Sequence, residues 1–329
     1  MENMDKIQIS GSIGLIKIKN EKMNKNVYMF FDDHSNKKYC KMVQSTFITD
    51  LFNSLIQNQS DSLIQNQSNY MILLEEPFIN KYSKIKFLWT DSPHIDKFRT
   101  YYKNVMNKCS KYNVCYTFPI DIRLLLFDVS LDELIANMNN DSYFIDYDIT
   151  TEDYFKYLLY IFDDLQDSDL DLTKCDNNII FIKKVFKIYV DSKYYKKLKS
   201  HFNDIKEKFI NNNLKKKIKE FIKIYGVNHY LFSVGYPFIN SNSDNFIDQY
   251  DKLINGLMEF YMCILIFGMD KKNIIIHTGY YHANNLIYIL TNYYSFIETY
   301  RIGNVSDIEN KNTSDVENCL FVDKKIFID

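Results

Sequence analysis

Three apolar runs in this chain end in residues that can move protons or hold a charge. Val27-Tyr28-Met29-Phe30-Phe31 leads into Asp32-Asp33-His34-Ser35-Asn36, and Tyr70-Met71-Ile72-Leu73-Leu74 leads into Glu75-Glu76-Pro77. Polar side chains at the end of a rigid strand are where chemistry is commonly carried. A third run, Asn273-Ile274-Ile275-Ile276-His277-Thr278, leads into Gly279-Tyr280-Tyr281-His282. A strand, a glycine and a first helical turn present a side chain above a sheet, where ligands bind in α/β folds, and His282 occupies that position. With an unperturbed pKa of about 6.5, a histidine there serves as general base, general acid or metal ligand. The competing reading is a histidine that caps the helix or satisfies the core. His277, within the run, reads as a packing residue of the strand.

If the three strands are neighbours, Asp32, His34, Glu75, Glu76 and His282 converge, giving two imidazoles and several carboxylates. Such a set binds a divalent ion, with His34, Glu75 and His282 as the ligands expected here, or activates water directly. Two carboxylates held close together also raise one pKa, which suits proton transfer. Phe118-Pro119-Ile120-Asp121-Ile122-Arg123 adds a cation. On an extended backbone Asp121 and Arg123 share a face, so Arg123 can stabilise developing negative charge with Asp121 orienting it, or the two form a plain ion pair. The expected substrate is a small molecule or a peptide.

Several classes are disfavoured. The chain has 329 residues, 46% hydrophobic and 25% charged with net charge −2, so it can bury a core and offers no bulk electrostatic attraction for nucleic acid. Lys215-Lys216-Lys217 reads as a solvated helix face. No P-loop, G-x-G-x-x-G, G-x-S-x-G or H-E-x-x-H sequence occurs. The six cysteines, at 40, 109, 115, 175, 263 and 319, include no C-x-x-C pair, which points to reduced thiols and an intracellular location. The first residues, MENMDKIQIS, lack an apolar signal core, and the most apolar stretch, Leu257 to Phe267, is too short for a membrane span.

The elements that must position these residues follow from periodicity. Ile7 and Ile9, then Ile16 and Ile18, alternate around Gly11 and Gly14, which predicts a β-hairpin. A helix is expected near 94–108 and a buried helix from Tyr250 to Leu265, closed by Gly268. Another helix is expected over about 282–292, then a terminal strand pair near 297–301 and 319–328. The tandem SLIQNQS at 54–60 and 62–68 reads as a loop expansion. The expected architecture is a single α/β domain over 1–329: a central mixed β-sheet flanked by helices, with a helical cap or insertion over 131–226.

The order Asp32-x-His34, Glu75-Glu76, Arg123, Gly279-x-x-His282 resembles the superfamily that joins erythromycin esterases, ChaN-like haem-binding proteins and the TraB and Tiki proteins. That resemblance implies a mixed sheet wrapped by helices, with polar residues clustered at one sheet edge. Asp32 would take the family's acidic position, His34 its partner, Glu75 or Glu76 the second acid and His282 the late histidine. The chain departs from the pattern at Phe31, where the family carries glycine, and in having Asp rather than Glu at 32. Its Asn- and Lys-rich style also resembles proteins of giant amoeba-infecting DNA viruses. The leading functional expectation is a hydrolase of ester or peptide bonds, divalent-metal-assisted or not, in which a carboxylate or His34 activates water while Arg123 and His282 stabilise the oxyanion. The alternatives are a non-catalytic binding or virion-associated protein with a degenerate site, and haem or metal binding without turnover.

Overall fold

The computed structural model describes residues 6–32, 40, 45–57, 69–77, 97–105, 117–122, 195–210, 244–303 and 318–327. In chain order its elements are β1 (Lys6–Ser10), β2 (Gly14–Asn20), β3 (Lys25–Asp32), β4 (Thr46–Phe47), α1 (Ile48–Gln57), β5 (Tyr70–Pro77), α2 (97–105), β6 (Thr117–Asp121), α3 (Tyr195–Ile210), α4 (Asp244–Gly268), β7 (Asn273–Gly279), α5 (Tyr280–Tyr294), β8 (Ile297–Gly303) and β9 (Cys319–Asp323), followed by a 3-10 turn at Lys324–Phe327. The chain divides into two compact units: Met1–Glu76, Trp89–Ile120 and Met269–Asp329 form the first, Pro77–Leu88 and Asp121–Gly268 the second.

The first unit holds a six-stranded mixed sheet in the order β6-β5-β7-β3-β2-β8 and a three-stranded sheet in the order β4-β1-β9. The α/β class expected from the sequence is the one observed. β5, β7 and β3 run parallel at the centre, with Leu74 opposite His277 and Asp32 opposite Gly279. Parallel strands covered on both faces are near-continuous apolar runs, and Val27 to Phe31, Tyr70 to Leu74 and Ile274 to Ile276 are each at most 2% exposed. These are the runs that the sequence singled out.

Side chains alternate between the two faces of a strand. Tyr28, Phe30, Tyr70, Ile72, Leu74 and Ile275 share one face with Leu51 and Phe52 of α1 and with Phe98, Tyr101 and Tyr102 of α2. The opposite face packs against α5, where the Phe31 and Tyr280 rings meet at 5.8 Å. Helices therefore cover both faces of the parallel strands.

Two strand pairings differ from expectation. β1 and β2 form no hairpin: β1 pairs with β9 and β4, whereas β2 pairs with β3 and β8. Gly11, at φ +103°, turns the chain from one sheet to the other. Ser12 secures the turn by donating its hydroxyl to Phe31 O and Gly14 O, at 2.8 and 2.9 Å. The two terminal strands likewise belong to different sheets, β8 beside β2 and β9 beside β1. In addition, Ser54–Gln57, the start of the SLIQNQS duplication, forms the last turn of α1 rather than a loop; residues 58–68 lie outside the described residues.

Reduced thiols throughout is an expectation that the structure corrects. Cys40 and Cys319 form a disulfide that closes a separation of 279 residues, while Cys263 is a free, buried thiol. Two cysteines so far apart give no spacing signal, so their pairing depends on β9 lying beside β1. Of the expected helical cap over 131–226, only Tyr195–Ile210 is described. In the second unit α3 packs on α4, with the His201 and Phe202 rings each 5.4 Å from that of Phe260. Leu257, Met258, Tyr261, Met262 and Leu265 of α4 are buried as their periodicity requires, and the helix ends at Gly268. No helix among the described residues is long and apolar enough to cross a membrane.

Candidate functional site

The first described helix after β3 is α1, which follows the short strand β4 and lies on one face of the sheet, whereas β7, the neighbour of β3, runs directly into α5 on the other. In open α/β sheets, the crevice outside the carboxyl ends of two strands whose connections diverge in this way is where ligands bind. Asp32 ends β3 at this point and Gly279 ends β7, with Glu75 and Glu76 at the end of neighbouring β5.

The strands bring Glu75 and His282 together. Glu75 projects from the α5 face, as Thr278 does. Its Oε2 accepts hydrogen bonds from Thr278 Oγ1 and from the Gly279 backbone amide, each 2.6 Å long. Its other oxygen, Oε1, lies 3.8 Å from His282 Nε2. That is beyond hydrogen-bond length but within reach of a charge–charge interaction when the imidazole is protonated. Both side chains are nearly buried, 7% exposed for Glu75 and 6% for His282, so little water screens the pair. His282 stands in the first turn of α5, as the glycine-to-helix pattern indicated. Gly279 caps that helix without a side-chain hydrogen bond, so the Glu75 carboxylate meets the amide at the positive end of the helix dipole.

Glu76 goes the other way. As the next residue of a pleated strand it belongs to the face of Leu74 and Ile72, toward α2, and it is buried at 6% exposure. The Tyr102 hydroxyl of α2 registers it there: burial raises the pKa of Tyr102, and the negative charge of Glu76 raises it further. Alternation assigns Asp32, 1% exposed, to the same face through Phe30. The single pocket expected for Asp32, Glu75, Glu76 and His282 is thus divided by the sheet. Glu75 and His282 lie on the α5 side; Glu76 and Asp32 belong to the α2 side.

His277 fills the packing role expected of it. Its ring stacks on Phe98 at 4.1 Å, and its Nε2 lies 3.1 Å from Gly11 O. His34 and Arg123 lie outside the described residues, whereas Asp121 closes β6. A structural zinc takes four protein ligands and a catalytic one three. Among the described residues no group of three or more His, Cys, Asp and Glu side chains is arranged to hold a metal ion. Of the expected ligand set His34, Glu75 and His282, the described part supplies two donors, Glu75 Oε1 and His282 Nε2.

Thr278 is the site residue that sequence reasoning missed. Its position in the run before Gly279 marks it as a strand residue, but only the register of β5 against β7 brings its hydroxyl to Glu75. No family model, curated protein or solved structure matches this chain.

Proposed function

We propose that this protein is a hydrolase of ester or peptide bonds in which His282 is the general acid–base group and Glu75 the carboxylate that orients it. The observation that carries this reading is the divided Glu75 carboxylate: Oε2 is held by Thr278 and the Gly279 amide, and Oε1 lies 3.8 Å from His282 Nε2. The 3.8 Å gap is one that closes to a hydrogen bond when a bound substrate tightens the site, and the fixed carboxylate then holds the imidazole with its Nε2 proton toward the acid. The opposite ring nitrogen, Nδ1, is enclosed by the protein, and in this reading it takes a proton from the attacking group once substrate occupies the site and returns it to the leaving group. The nearly dry surroundings strengthen each of these interactions. The position at the carboxyl ends of diverging parallel strands supports the reading, as does the motif order that resembles the esterase-containing superfamily. A divalent ion held by His34, Glu75 and His282 is a variant of the same proposal.

A second reading, a binding or structural protein that keeps the fold without turnover, has a specific observation in its favour. The same two hydrogen bonds that orient Glu75 also tie β5 to the junction of β7 and α5, a purely architectural use of a buried carboxylate. A panel of p-nitrophenyl esters and fluorogenic peptides, assayed with wild type and His282→Ala, separates the two. The hydrolase reading expects turnover that falls by about 10²-fold or more in the variant. Equal background rates in both proteins leave the structural reading. Metal content of wild type, His34→Ala and His282→Ala, measured on the same preparations, tests the metal-assisted variant.

A further inference from the structure

α5 opens with two tyrosines that have different fates. Tyr280 is committed to the core, its ring packed edge-on against Phe31 at 5.8 Å. Tyr281 is 51% exposed, yet its ring lies 5.6 Å from that of the buried His282, with the planes at 81°. Consecutive residues of a helix do not face each other, so adjacency in the chain does not impose this contact. Helical side chains lean back toward the N-terminus, which here carries the Tyr281 ring toward the β7–α5 junction and the crevice at the strand ends. Among the described residues, the one aromatic ring that Tyr281 meets is that of His282. The charges around it are already answered. α5 carries no Lys, Arg, Asp or Glu, Glu75 is held by Thr278, the Gly279 amide and His282, and Glu76 and Asp32 belong to the other face of the sheet. Neutral contact is what Tyr281 adds to the described part of the site.

We propose that Tyr281 is the specificity-determining residue of the Glu75–His282 site: its exposed ring stacks a neutral aromatic ring of the substrate and sets the bond to be cleaved beside the imidazole. The inference rests on the hydrolase reading and names its substrate class, aryl esters or peptides with an aromatic residue at the scissile bond. Paired aromatic rings settle with their centroids about 4.5–7 Å apart. A substrate ring at that distance from Tyr281 brings the group it carries to an imidazole 5.6 Å from the same tyrosine. A charged group meets no uncommitted counter-ion in the described part of the site, whereas the tyrosine ring supplies contact area without one. An aliphatic group gains burial there but no ring–ring attraction, so Tyr281 discriminates by aromaticity rather than by size.

Binding, read apart from turnover on the full chain, tests the proposal. N-acetyl-phenylalanine amide serves as the neutral aromatic probe and N-acetyl-leucine amide as its aliphatic counterpart, each followed through the NMR signals of the His282 imidazole, assigned with His282→Ala. The phenyl probe is expected to shift those signals, with a Kd about tenfold or more higher in Tyr281→Ala and nearly unchanged in Tyr281→Phe. The leucine probe is expected to bind wild type and Tyr281→Ala alike, and circular dichroism verifies that each variant is folded. Equal affinity of the phenyl probe for wild type and Tyr281→Ala, a leucine probe that binds as tightly as the phenyl one, or His282 signals that no concentration moves would each overturn it. Binding through Tyr281 with no ester or peptide hydrolysed would end the hydrolase reading and leave the aromatic subsite standing. Hydrolysis that needs His282 but ignores Tyr281 would do the reverse.

Discussion

Glu75 and Glu76 are adjacent in the chain and serve opposite faces of the sheet: Glu75 Oε1 lies 3.8 Å from His282 Nε2, while the charge of Glu76 is felt by Tyr102 of α2. The two carboxylates therefore have separable consequences. Glu75→Gln is expected to impair hydrolysis, and Glu76→Gln to leave it nearly unchanged, when both are assayed on the same ester.

The hydroxyl of Thr278 is the device that holds Glu75 in place. A hydrogen bond to a charged group contributes about 1.5–3 kcal/mol, so Thr278→Val is expected to lower stability by about that amount in urea denaturation. Thr278→Ser, which keeps the donor, is expected to retain most of it. A Val variant as stable as wild type would show that the bond at 2.6 Å contributes nothing net.

Alkali is expected to weaken the fold. Burial pushes the Tyr101 hydroxyl up to about 12, and burial together with the charge of Glu76 pushes Tyr102 up as well. An acid whose folded pKa is raised keeps its proton where the unfolded chain has lost it, so the stability it contributes is intact below the unfolded value and is lost as pH rises through the folded value. From the ordinary tyrosine pKa of 10.0 upward the protein should therefore lose stability, through about 12 for Tyr101. Urea unfolding at stepped pH is expected to show this decline, and a shallower one in Glu76→Gln, where Tyr102 is relieved of its charged neighbour.

Gly14 lies opposite Phe31 in the β2–β3 ladder, and a Cβ built on it would come within 2.2 Å of the Phe31 ring. Gly14→Ala should cost about 1–3 kcal/mol by overpacking, measured as a fall in the urea midpoint. Pairing the variant with Phe31→Leu is expected to recover part of that loss.

The Cys40–Cys319 bridge closes a loop across most of the chain. Loss of a native disulfide typically costs about 2–5 kcal/mol, so Cys40→Ala is expected to lower the melting temperature, and a dithiol reductant to lower that of wild type but not of the variant. A reductant that leaves wild type unmoved would contradict a stabilising bridge.

Much of the central sheet was legible because its strands declare themselves. β3, β5 and β7 are unbroken apolar runs, and Gly268 and Gly279 punctuate the chain where α4 ends and α5 begins. The partners of β1 and β2 were not legible. Alternation gives a strand its two faces but not its neighbour, and the turn at Gly11 leads between sheets rather than into a hairpin. The separation of Glu75 from Glu76 was within reach of the sequence, since a period of two sends adjacent residues to opposite faces; a shared location at one strand end concealed it. Thr278 and the pairing of Cys40 with Cys319 depend on long-range register, for which no local signal exists.

The central claim is that Glu75 acts through His282, and a double-mutant cycle on kcat/KM for the best ester substrate tests it most directly. If the two residues form one unit, Glu75→Gln and His282→Ala each lower kcat/KM, and the double variant is no slower than His282→Ala alone. Independent, multiplying losses, or full activity in Glu75→Gln, would contradict the account.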